Sequence, residues 1–141
     1  MLQISESFLR QAYARLKDAE DALKDNLNPY ALRLSQECVE LSLKAALKLV
    51  GIEYPKKHDV SRPLIDAKSR FPEWFQSEIE FMAHVSRTLA KKREISMYGD
   101  DASFLSPDEL VTREEASKAV EQAKRVYELS SKLLSEIRSK T

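Results

Sequence analysis

Residues 29–50, PYALRLSQECVELSLKAALKLV, constrain the fold more than any other stretch. Ala31, Leu32, Leu34, Cys38, Val39, Leu41, Leu43, Ala45, Ala46, Leu47, Leu49 and Val50 cover well over half the circumference of a helix. A helix apolar over that arc has to be central in its fold or lie in an interface. Its polar ridge is Gln36, Glu40, Lys44 and Lys48, spaced by four. Glu40 ahead of Lys44 is the favourable order for an i,i+4 pair. Asn28 is placed to cap this helix and Pro29 fits its first turn, where no backbone donor is needed. Gly51 suits a C-terminal stop, and Pro55 prevents continuation.

Three further helices follow from periodicity. Phe8, Leu9, Ala12, Tyr13, Leu16, Ala19 and Leu23 form one stripe on a helix of about Ser5 to Asp25. Trp74, Phe75, Ile79, Met82, Val85 and Leu89 give an apolar face to a helix of about Glu73 to Lys92. Thr112 to Glu115 is a capping-box pattern, and the apolar rhythm from Ala116 to Ile137 runs on from it. A short helical segment is expected near Leu64–Arg70, and a single turn from the capping box at Ser106–Glu109. The stretch between, about Arg93 to Val111, has few periodic residues. No strand is convincing, and two glycines in 141 residues agree with that. The expected fold is all-α: an antiparallel up-and-down bundle of four long helices plus short extra helices, one domain over residues 1–141.

Composition excludes several classes. Lys plus Arg equals Asp plus Glu at 23 each, which argues against a strongly basic nucleic-acid binder. Cys38 is the lone cysteine, so no intramolecular disulfide and no cysteine zinc cluster can form. The N-terminus lacks the pattern of a signal peptide, and no apolar run reaches the roughly 20 residues of a membrane span. A cytoplasmic setting is the expectation.

Few residues invite chemistry. Tyr98-Gly99-Asp100-Asp101 matches a metal-binding turn of RNA polymerases, but its flanks do not alternate as strands and a palm domain needs far more chain. His58 and His84 each lack a second histidine or a cysteine at metal-ligand spacing. No metal or other cofactor is expected. Arg87, Lys91, Lys92 and Arg93 form a basic cluster that suits either phosphate contact or a solvated helix end, with Asp100 and Asp101 placed to pair with it.

The block from Arg33 to Val60, RLSQECVELSLKAALKLVGIEYPKKHDV, resembles the HEPN domain, a small helical module. That family has a Gln-x-Ala-x-Glu-x-x-x-Lys-Ala-like second helix, a glycine stop, a proline and a histidine. Gln36, Glu40, Lys44, Ala45, Gly51, Pro55, Lys57 and His58 fit, with Cys38 in the small-residue position. FLRQAYARLKDAEDAL is similar to the family's first helix, and SMYGDD with EEASKAVEQAKRVYEL to its Arg-Tyr-Pro-Asp segment and last helix.

The resemblance implies a helical bundle, often a homodimer, acting with a minimal nucleotidyltransferase partner, in some cases as toxin and antitoxin. Many members are metal-independent ribonucleases with an arginine followed after four to six residues by a histidine. Neither histidine here has that arginine. The nearest segment is Arg93 to Tyr98, with tyrosine in the histidine slot and Met97 where relatives carry arginine. Tyrosine, with an unperturbed pKa of about 10, is a poor proton shuttle at neutral pH. The expectation is therefore a non-catalytic module that binds a nucleotide, RNA phosphate or partner near Lys57, His58, Arg87, Arg93, Tyr98 and Asp100. The alternatives are a divergent ribonuclease using Arg93 and Tyr98 with His58 or His84 brought in, and a purely structural dimer or neutralising partner.

Overall fold

A computed structural model describes residues 2–141. Four long helices, α1 (Leu2–Lys24), α2 (Asn28–Leu49), α5 (Ile79–Tyr98) and α7 (Arg113–Ser139), form an antiparallel up-and-down bundle. Short helices α3 (Ser61–Asp66), α4 (Glu73–Gln76) and α6 (Pro107–Leu110) and a 3₁₀ turn at Lys68–Arg70 join them.

The wide apolar arc of α2 is satisfied within the chain. Helices α1, α7 and α5 all pack against it, and Leu32, Val39, Leu43, Ala46 and Leu47 are buried. Small residues set the close approach: Ala12, Ala19 and Ala22 on α1, and Ala116, Ala119 and Ala123 on α7, are all buried. The Ser5 hydroxyl on α1 donates to the Ala45 carbonyl of α2 at 3.2 Å. Cys38 is buried at this centre, and burial, opposed by a hydrogen bond with Ser42, pushes its thiol up to about 12. Such a thiol is chemically inert at neutral pH.

The helix ends follow local rules. α2 ends in a Schellman motif: Gly51 sits at φ 78°, its N–H bonds Lys48 O, and Ile52 N–H bonds Leu47 O. Asn26, at φ 59°, ends α1 in the same way, with Asn26 N–H on Leu23 O and Leu27 N–H on Ala22 O. Both expected capping boxes form, at Ser106/Glu109 and Thr112/Glu115.

Three local expectations are corrected. Asn28 does not cap α2; the cap position is Leu27, no side chain bonds the helix end, and Asn28 Oδ1 is buried without a partner. The segment Glu73–Lys92 is two helices, because the chain turns at Ser77 and Glu78 between α4 and α5. Helix α5 then continues past Lys92 to Tyr98, so the irregular segment is only residues 99–106. Gly99, at φ 77°, is the stop.

A Cβ added at Gly99 would collide with the Leu105 carbonyl oxygen and crowd Pro107 and Ser106. Gly99→Ala is therefore expected to cost about 1–3 kcal/mol. It should speed hydrogen exchange at the Asp100 and Leu105 amides, which pair across this turn, and leave the core amides of α2 protected.

Candidate functional site

Two members of the polar ridge of α2, Gln36 and Lys44, are buried, and Glu40 and Lys48 are partly so. Gln36 is 2% and Lys44 8% exposed, on a helix whose other inward residues are apolar or serine. Buried polar groups must be partnered, and the partners come from three other elements.

Helix α5 brings Arg93. Its Nη1 donates to Gln36 Oε1 at 2.6 Å and to Glu37 Oε2 at 3.2 Å. Gln36 Nε2 in turn donates to Glu40 Oε1 at 3.0 Å, and Lys44 Nζ donates to Glu40 Oε2 at 2.7 Å. The connector brings His58, whose Nδ1 lies 2.7 Å from Glu40 Oε1. Helix α1 brings Arg15, with Nε 3.2 Å from Glu37 Oε1.

His58 is placed by its neighbours in sequence. Val60 is fully buried, and its N–H donates to Ser86 Oγ on α5 at 2.9 Å. Asp59 Oδ1 accepts from the Ser61 amide at 2.9 Å. The Tyr54 ring lies under Lys44 Nζ and Lys48 Nζ, at 5.2 and 5.6 Å. The connector is thus pinned on both sides of His58.

These groups bound an open groove of about 310 Å3, lined by Arg15, Glu37, Glu40, Leu41, His58 and Arg93. Its electrostatics are asymmetric. Arg15, Arg33 and Arg93 share Glu37, and Lys44 takes Glu40. The lining itself balances, Arg15 and Arg93 against Glu37 and Glu40, but with Arg33 and Lys44 bound to the same two carboxylates four cations share them. Such a site attracts anions.

Burial pushes the Glu40 carboxyl up, but hydrogen bonds from Lys44, Gln36 and His58, with the charge of Lys44, outweigh it and hold Glu40 below its ordinary value. Glu40 is then a carboxylate that only accepts, so His58 Nδ1 carries the proton. In the neutral ring the lone pair sits on Nε2.

The depressed carboxyl sets a pH dependence. A group whose folded pKa is lowered stabilises fully above its ordinary value, here 4.5, and loses that contribution as pH falls through the lowered value. Thermal melts of the wild type and Glu40→Gln should therefore differ most near neutrality and converge in acid.

The other expected site residues are dispersed. Lys57 lines a neighbouring recess with Pro55, Arg62 and Pro63. His84 lines a separate groove with Thr88, Lys92 and Lys118. Arg87 and Lys91 are exposed. Lys92 pairs with Glu115 at 3.0 Å, so the basic cluster splits over several directions rather than forming one patch. It is also not a helix end, since α5 runs on to Tyr98. Tyr98 is 71% exposed. Asp100 does not pair with the basic cluster: its carboxylate accepts from Ala102 N–H and Ser103 Oγ. Among the described residues no group of three or more His, Cys, Asp and Glu is placed to hold a metal ion. No helix among them is long and apolar enough to cross a membrane.

Arg15 and Glu37 are the groove residues that sequence reasoning misses. Both look like ordinary surface charges on amphipathic helices. No local signal marks either; the ridge of four polar residues in register on α2 points only to Gln36 and Glu40 beside them.

A bundle with this helix order and this polar ridge is a HEPN architecture. The family model for the HEPN domain matches residues 5–134, and the chain belongs to that family. Two solved structures share the fold. The crystal structure of ST0689, an archaeal HEPN homologue, is 23% identical, with 92% of this chain and 97% of that one covered and a TM-score of 0.68. TT1696 from Thermus thermophilus is 21% identical, with 91% and 96% covered and a TM-score of 0.71. The search of curated proteins finds no match.

Proposed function

We propose that this HEPN domain is a binding module for an anionic ligand, a nucleotide or an RNA phosphate, held in the groove between Arg93 and His58. It acts as a homodimer with a minimal nucleotidyltransferase partner, within a toxin–antitoxin-like pair. The observation that carries the ligand reading is the shared use of Glu37 by three arginines beside the Glu40–His58 pair. An incoming phosphate offers those guanidiniums the acceptors they lack. The nucleotidyltransferase partnership rests on family membership.

Calorimetric titration with ATP and with a short single-stranded RNA tests the ligand reading. Arg93→Ala is expected to weaken binding by about ten-fold or more, the loss of one charge-assisted contact of about 1.5–3 kcal/mol. Equal affinity in wild type and variant, with both folded, would reject the groove.

One observation favours a second reading, a divergent metal-independent ribonuclease. The Glu40 carboxylate on His58 Nδ1 leaves Nε2 as a base, and Arg93 lines the same groove. Proton transfer and charge stabilisation are the two tasks of RNA cleavage without a metal. Of the two histidines considered for that role, His58 shares the groove with Arg93 and His84 does not. Cleavage of labelled RNA that His58→Ala abolishes would establish turnover; intact RNA at high protein concentration leaves binding alone.

A further inference from the structure

Exposed apolar side chains are concentrated in one stretch of the chain, around the end of α5 and the turn after it. Among the described residues, Ile95, Met97, Tyr98, Phe104 and Leu105 are five of the ten exposed large hydrophobics, and Phe104 is 91% exposed. Apolar patches of this kind mark interaction sites. The turn that carries Phe104 is held in shape. Asp100 and Leu105 exchange backbone hydrogen bonds, the Asp100 carboxylate ties Ala102 and Ser103, and the Ser106 capping box follows. An aromatic side chain on a fixed turn loses little freedom on binding.

Charge selects what covers it. Residues 94–112 contain five carboxylates and no Lys or Arg, in a chain with zero net charge. Two such turns repel, which disfavours a turn-on-turn contact. An opposite surface lies elsewhere on the same chain. Residues 54–70 hold five Lys and Arg against two Asp. Within them a recess of about 390 Å3 is lined by Pro55, Lys57, Asp59, Arg62, Pro63 and Asp66. Asp59 is engaged locally, with the Ser61 amide and Ser86 hydroxyl. The recess combines proline walls for a ring with Lys57 and Arg62 beside Asp59 and Asp66, and the wider 54–70 surface, with Lys56, Lys68 and Arg70, supplies the positive excess for the carboxylates around the ring.

We infer that the 95–105 face of one protomer docks on the 55–66 surface of a second copy, with Phe104 entering the proline-lined recess. Reciprocal contacts about a twofold axis use both surfaces of both chains and close the assembly as a dimer. The inference rests on the homodimer reading and names its surface.

The test is sedimentation velocity on the full chain over a concentration series. The samples are the wild type, Phe104→Asn, the pair Asp101→Lys with Asp108→Lys, the pair Lys57→Glu with Arg62→Glu, and a chain carrying both pairs. Asparagine accepts the positive φ of 59° at position 104, and all five positions are exposed, so the fold should survive. The wild type should dimerise, Phe104→Asn should weaken the dimer by about 30-fold or more, and each charge-reversed pair should weaken it. The chain with both pairs should recover the dimer. A wild-type dimer that Phe104→Asn leaves equally tight would overturn the inference and leave the homodimer reading standing. Failure of the combined chain to recover would also overturn it. A wild type that stays monomeric throughout would remove the homodimer reading and the inference with it.

Discussion

Glu40→Ala is expected to destabilise the protein by about 3–5 kcal/mol, the cost of leaving a buried charge without its partner. Lys44 Nζ rests 2.7 Å from Glu40 on a side chain only 10% exposed. Its other close neighbour is the Tyr54 ring, which cannot replace a carboxylate. The same substitution removes the acceptor from Gln36 Nε2 and from His58. Denaturant unfolding of the single variant and of Glu40→Ala with Lys44→Met separates the causes. The double variant should recover most of the loss, because an apolar side chain of similar length needs no counter-charge. A single-variant cost below about 1 kcal/mol would mean that Lys44 reaches water readily.

Phe75→Ala is expected to cost a similar amount, about 3–5 kcal/mol. On a chain of this size that lowers the melting temperature by roughly 10–20 °C. Phe75 is fully buried, stacks on Phe71 at 4.4 Å and meets Trp74 edge-on at 5.6 Å. Trp74 is fixed from α7, with Nε1 donating to Glu136 at 2.8 Å and Lys132 over its ring. The four-residue helix α4 thus holds the 60–78 segment to the bundle through aromatic packing. Phe75→Leu should retain a large part of the stability, since it keeps apolar volume at the site. Equal melting of Phe75→Ala and wild type would show that α4 docks by other means.

The long helices were legible because their apolar spacing and caps agree. The capping boxes at Ser106 and Thr112 and the glycine stop at Gly51 rest on residues that act within a few positions of themselves. The turn at Ser77–Glu78 was not legible, since the apolar spacing of Trp74, Phe75, Ile79 and Met82 runs through it without a glycine or proline. The last turns of α5 were missed for a different reason. There the buried residue is Ser96, whose hydroxyl bonds the Arg93 carbonyl, so no apolar residue marks the inner face. The same blindness hid the burial of Gln36 and Lys44.

The site was legible in part. Arg93 and His58 were singled out, and both line the groove. What joins them is Gln36 and Glu40, reached across 57 residues from Arg93 and 18 from His58. No local pattern encodes such contacts. Arg15 and Glu37, from two different helices, were invisible for the same reason. Tyr98, the tyrosine in the histidine slot, is exposed and does not line the groove, and Asp100, placed by sequence to pair with the basic cluster, is spent on its own turn.

The chain has only two histidines, one in each of two separate grooves, and this allows a direct test. Imidazole resonances of His58 and His84 can be followed by NMR while ATP or a short RNA is titrated in. Binding between Arg93 and His58 predicts a saturable shift of His58 with His84 unmoved, and loss of that shift in Arg93→Ala. A shift confined to His84, or bound ligand with neither histidine moving, would contradict the assignment of the groove.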